Sequence, residues 1–127
     1  MKNKKPDLYL HIGLEKTGTT SIQYGLANSR STLKKEGVLY PKTPGETNHL
    51  KLCVYALNEK RLHNLHTLYI NQLSELSAFR ENFKSELERE IALSKCNRVI
   101  MSSEHLSSNL GTVNQIQTLA NLLKPMF

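Results

Sequence analysis

The stretch Leu8-Tyr9-Leu10-His11-Ile12-Gly13-Leu14-Glu15-Lys16-Thr17-Gly18-Thr19-Thr20-Ser21-Ile22 decides the fold. Residues 8–12 form a short apolar run that predicts a buried strand. It leads into a turn bracketed by Gly13 and Gly18 that carries one lysine, Lys16. Hydroxyl residues follow, and then an amphipathic pattern begins. Strand, glycine turn and helix start in that order make an anion cradle. The strand fixes the loop, the glycines let the main chain come close, and the first helical turn offers unpaired N–H groups and a positive dipole end. The plainer alternative is an ordinary strand-to-helix connection with incidental glycines.

The spacing Gly13-x-x-x-x-Gly18-Thr19-Thr20 comes close to the nucleotide-binding pattern G-x-x-x-x-G-K-[ST]. Thr19 stands where that pattern requires lysine, and Lys16 lies two residues before Gly18. No acidic strand suited to holding magnesium is evident downstream. The chemistry therefore rests on the Lys16 charge and main-chain donors, with no metal site. A nucleotide or nucleoside kinase of the P-loop type is the first alternative, weakened by both departures. A non-catalytic remnant that binds a phosphorylated ligand is the second.

The run His11-Ile12-Gly13-Leu14-Glu15-Lys16-Thr17-Gly18-Thr19-Thr20-Ser21-Ile22-Gln23 resembles the 5′-phosphosulfate loop of sulfotransferases that use 3′-phosphoadenosine 5′-phosphosulfate (PAPS). It is most similar to bacterial members related to the glycan-modifying branch. The resemblance implies that Gly13, Lys16, Thr17, Gly18, Thr19, Thr20 and Ser21 hold the cofactor's 5′-phosphate, with Lys16 also catalytic. The implied reaction is in-line sulfuryl transfer to a hydroxyl or amine of a small-molecule or glycan acceptor.

A second constellation, Val99-Ile100-Met101-Ser102-Ser103-Glu104-His105-Leu106-Ser107, places a carboxylate and an imidazole just past another apolar strand. Either could remove a proton from an acceptor hydroxyl. Glycan sulfotransferases carry a glutamate base after the corresponding strand, as Glu104 would be. Those acting on small phenols carry a histidine followed by leucine, as in His105-Leu106. The Ser-Ser-Glu form favours Glu104. Read without the resemblance, the same residues make a helix cap and a packed histidine. By the same likeness His49, after the Tyr40-Pro41 turn, is expected on the acceptor side. His11, inside the first strand, reads as a satisfied histidine at the floor of a site rather than a base. His63-x-x-His66 has the spacing of metal ligands, but no third ligand accompanies it.

The chain has 127 residues, which allows one domain. Its formal charge of +6 suits a polyanionic ligand, although Lys2, Lys4 and Lys5 lie in a short basic tail at residues 1–6 that is expected to fray. Basic runs interleaved with aromatics are missing, which argues against nucleic acid. No secretory signal and no segment of membrane-spanning length can be read, so a cytoplasmic protein is expected. Cys53 and Cys96 have no redox or metal spacing and are expected reduced and buried.

Periodicity predicts a helix over 19–35 with Ile22, Leu26 and Leu33 inward and Gly37 as its stop, then a strand at 38–40. Further helices are expected over 49–60, 71–95 and 112–123, with a strand at 98–102, while 61–70 stays ambiguous. Strands alternating with helices imply an α/β fold, a P-loop-like parallel sheet with flanking helices and ligands at the carboxyl ends of the strands. That rule brings the loop after the first strand beside Ser102-Ser103-Glu104-His105. In complete sulfotransferases a later strand leads to the 3′-phosphate site. Leu122-Leu123-Lys124-Pro125-Met126-Phe127 stops where that strand should begin, so the chain reads as the N-terminal part of such a domain. An incomplete sheet leaves an edge through which a homo-oligomer could form.

Overall fold

The computed structural model describes residues 4–12, 19–56, 73–104, 106 and 110–127, and of residues 19, 20 and 73–75 the main chain only. Within these the order is β1 (Asp7–His11), α1 (Thr19–Asn28), α2 (Arg30–Lys35), β2 (Val38–Leu39), α3 (Leu50–Ala56), α4 (Leu73–Ser94), β3 (Arg98–Ser102) and α5 (Val113–Leu123), followed by a 3₁₀ turn at Lys124–Met126. The architecture is α/β: a small open parallel sheet of three strands with helices against it.

The strand order is β1-β3-β2, so β3 is central. β1 runs beside it from Asp7↔Arg98 to His11↔Ser102, and β2 adds Val38↔Arg98 and Leu39↔Val99. Side chains alternate across a strand, so Leu8, Leu10, Leu39, Val99 and Met101 share one face. These residues pack with Leu52, Cys53 and Ala56 of α3, Phe83, Leu87 and Ile91 of α4, and Leu119, Leu122 and Leu123 of α5. Each such side chain, taken fully from water, contributes about 1.5–3 kcal/mol, so this face is the hydrophobic core. Cys53 and Cys96 are both buried, as expected.

The helix expected over 19–35 is two helices, broken at Ser29, whose carbonyl accepts the Leu33 N–H at 2.8 Å. Asn28 and Ser29 are weak helix formers, which favours a break there, although Ser29 makes no side-chain cap bond. Gly37 ends α2 in the left-handed region at φ 79°, where a Cβ would meet Asn97 Oδ1 at 2.9 Å. At the other end of the chain Thr112 caps α5. Its hydroxyl accepts the Gln115 N–H while the Gln115 side chain accepts the Thr112 N–H, a reciprocal capping box. No helix among the described residues is long and apolar enough to cross a membrane.

Candidate functional site

The carboxyl ends of β1 and β3 are tied together around one buried residue, Ser102. Its side chain lies on the face opposite the core, with Tyr9 and His11 of β1. Ser102 Oγ is 2.9 Å from His11 Nδ1 and accepts from Gln23 Nε2 of α1 at 3.2 Å. The Ser102 carbonyl accepts the His49 N–H at 2.9 Å. The Ser102 N–H donates to His49 Nδ1 at 3.0 Å. Three segments distant in sequence are thereby tied to the last residue of the central strand.

The next residue extends the tie. Ser103 N–H donates to the His11 carbonyl at 2.9 Å, which joins the stem of the glycine loop to the stem of Glu104. Helix α1 follows β1 on the Ser102 face, whereas α5 follows β3 on the core face. Connections leaving adjacent parallel strands toward opposite faces open a crevice between them, the usual place for a ligand in such sheets. The end of β1, His11, is therefore beside Ser102 and Ser103, while the loop that follows it lies outside the described residues.

His49 is fully buried, and its two ring nitrogens fix its protonation state. Nε2 donates to the Pro41 carbonyl at 2.8 Å, while Nδ1 accepts from Ser102. A proton added to Nδ1 would destroy the second bond. Burial, above all, holds its pKa down at about 3. Its ring stacks on Tyr40 at 4.2 Å between centroids. His49 is expected on the acceptor side; here it is fully buried, and its two ring bonds lock residues 41–49 against β3. Burial raises Tyr40 to about 12, against the opposing pull of Arg30, and its hydroxyl donates to the Thr47 carbonyl.

Arg30, the first residue of α2, closes the same loop. Its Nε donates to the Tyr40 carbonyl at 2.8 Å and an Nη to the Glu46 carbonyl at 2.6 Å, with the guanidinium 5.1 Å from the Tyr40 ring centre. Gly45, at φ 152°, leaves no room for a Cβ, which would stand 2.0 Å from the Asn48 carbonyl oxygen.

Of the residues expected to hold a 5′-phosphate, Thr19 and Thr20 open α1 and Ser21 is exposed in its first turn. Gly13, Lys16, Thr17 and Gly18 lie outside the described residues, as do His105, His63 and His66. Glu104 stands half-buried in the turn after β3. Among the described residues no group of three or more His, Cys, Asp or Glu side chains could hold a metal ion. Among the described residues Ser103 Oγ, buried one residue before Glu104, has no hydrogen-bond partner.

Three residues here, Gln23, Ser102 and Ser103, are not singled out by the sequence as site residues in their own right. The signal for Gln23 was its place beside Ile22 on a helix whose apolar stripe is thin. Compared with known proteins, the chain matches no family model, no curated protein and no solved structure.

Proposed function

We propose that the crevice between β1 and β3 binds PAPS and supports sulfuryl transfer to a hydroxyl, with a carbohydrate as acceptor. The observation that carries this reading is the Ser103 N–H to His11 carbonyl bond, which sets the stem of the Lys16 loop against the stem of Glu104. Two further features favour it. Helix α1 begins at Thr19, where main-chain N–H groups would meet a 5′-phosphate. The orphaned Ser103 hydroxyl is a buried group that a polar ligand would satisfy.

In the proposed step the acceptor oxygen forms a bond to sulfur as the bond from sulfur to the bridging phosphate oxygen breaks. Glu104 takes the acceptor's proton, and Lys16 balances the negative charge on the departing adenosine 3′,5′-bisphosphate.

Calorimetric titration with adenosine 3′,5′-bisphosphate and with ATP tests the reading. Preference for the bisphosphate is expected; preference for ATP would favour a kinase, and binding of neither would remove the proposal. In a sulfate-transfer assay with PAPS and a hydroxyl sugar, Lys16→Ala should lower turnover on the order of 100- to 1,000-fold. Unchanged turnover would withdraw the catalytic assignment.

A further inference from the structure

At the amino ends of the strands, away from the crevice, lies a cavity of about 650 Å³. Its walls come from three separate segments: residues 4–6 before β1, the end of α4 with residues 95–97 before β3, and Pro125 and Met126 after α5. Asp7 N–H donates to the Asn97 carbonyl at 3.0 Å and holds the first two segments together. Five strand residues separate this end from the crevice, roughly 15 Å of extended chain.

The chemistry of the walls is divided. Ile91, Cys96 and Met126 supply an apolar floor that is continuous with the core. Three cations, Lys4, Lys5 and Lys95, stand around it against one carboxylate, Glu88. Among the described residues none of these lysines has an ion pair. Lysine stems lie along apolar surface while the ammonium groups stay at the rim, so the arrangement is itself amphipathic.

Lys95 adds a second observation. It is a non-glycine residue in the left-handed region, at φ 57°. It follows α4 at the position where glycine normally ends a helix. The turn is secured by Ser94 Oγ, which donates to the Ile91 carbonyl at 2.7 Å and accepts the Cys96 N–H at 3.1 Å. Glycine would make this turn at less cost, and the lysine sets a cation in the cavity wall.

We propose that this cavity is a binding site for an amphiphilic anion, its chain against Ile91, Cys96 and Met126 and its carboxylate or phosphate head among Lys4, Lys5 and Lys95. The volume falls in the range of sites that enclose small organic ligands. Apolar burial supplies affinity, and the lysines select an anionic head over a neutral or cationic one. The site is separate from the crevice and does not depend on the reaction proposed there.

Titration of the 127-residue chain with decanoate, decyl phosphate, decanol and decyltrimethylammonium, below their micellar limits, tests this. Decanoate or decyl phosphate should bind saturably, shift the amide resonances of residues 91–97, 124 and 126, and slow alkylation of Cys96 by iodoacetamide. The stronger of the two heads identifies an acyl or a phosphate-headed source. Octanoate, two methylenes shorter, should bind about tenfold more weakly than decanoate. Lys95→Gly should weaken decanoate several-fold while raising the thermal midpoint, so lost binding is not lost folding. Lys5→Glu should weaken it further. Equal binding of decyltrimethylammonium, insensitivity to both substitutions, shifts confined to other residues, or no saturable binding would each overturn the proposal.

Discussion

The two faces of the sheet are held in opposite ways. On one, α3, α4 and α5 press apolar side chains onto Leu39, Val99 and Met101. On the other, Gln23 of α1 is buried and bonded to Ser102, while Ile22 and Tyr24 on either side of it are 50% and 57% exposed. Arg30 attaches α2 through main-chain carbonyls at 40, 41 and 46. The core face draws on area removed from water, which is non-directional. The crevice face relies on hydrogen bonds, each worth about 1 kcal/mol net but strict in geometry. Stability resides on one side and position on the other, and the candidate site is on the second.

Substitutions can break or sharpen that contrast. The largest loss is expected from Leu87→Ala in α4, a fully buried core position: about 3–5 kcal/mol in denaturant unfolding. A loss below 1 kcal/mol would mean that the core face does not dominate.

Next comes His49→Ala, which strands the Ser102 N–H and the Pro41 carbonyl and should cost about 2–4 kcal/mol. His49 also supplies a pH signature. Its folded pKa is near 3, against 6.5 for the free side chain, so the unfolded chain takes up the proton first as pH falls. The His49 contribution is therefore complete above about pH 6.5 and is lost progressively toward pH 3, by roughly 1 kcal/mol per pH unit. Unfolding curves recorded between pH 7 and 4 should show this slope in the wild-type chain and a shallower one in His49→Gln. Parallel slopes would refute the assignment.

The third and fourth effects are smaller and separate position from stability. Gln23→Leu removes the donor to Ser102 and should cost about 1–2 kcal/mol. It should also weaken adenosine 3′,5′-bisphosphate binding, because α1 would lose its fixed relation to β3. Thr112→Ala breaks the capping box on the other face and should cost about 1 kcal/mol. Nucleotide affinity should stay within about twofold for a change that touches only the core face. If both variants changed binding alike, the division between faces would fail.

Much of this organisation was legible in the chain. The strand at 98–102, the helix that Thr112 opens, the glycine stop at position 37 and the parallel α/β class all follow from periodicity and caps, which are local signals. The apolar stripe of α4 through Phe83, Leu87 and Ile91 was equally plain and lies in the core. What periodicity could not show was the crevice face. Ile22 continues a helical apolar pattern but stands half in water, while Gln23 is buried because Ser102, 79 residues away, offers two acceptors. The burial of His49 is equally invisible to local pattern, because its partners Pro41 and Ser102 are set by tertiary placement. Strand order β1-β3-β2 likewise depends on which helices cover which face, not on any one segment.

The central claim is that the Lys16 loop and Glu104 enclose one sulfonucleotide site above Ser102. A crystal structure of the chain soaked with adenosine 3′,5′-bisphosphate tests it most directly. The 5′-phosphate should rest on the main-chain amides at the start of α1, under the Lys16 amine and facing Glu104 across the His11–Ser102 contact. A nucleotide bound elsewhere, or a Lys16 amine directed into solvent with no anion beneath it, would contradict the claim.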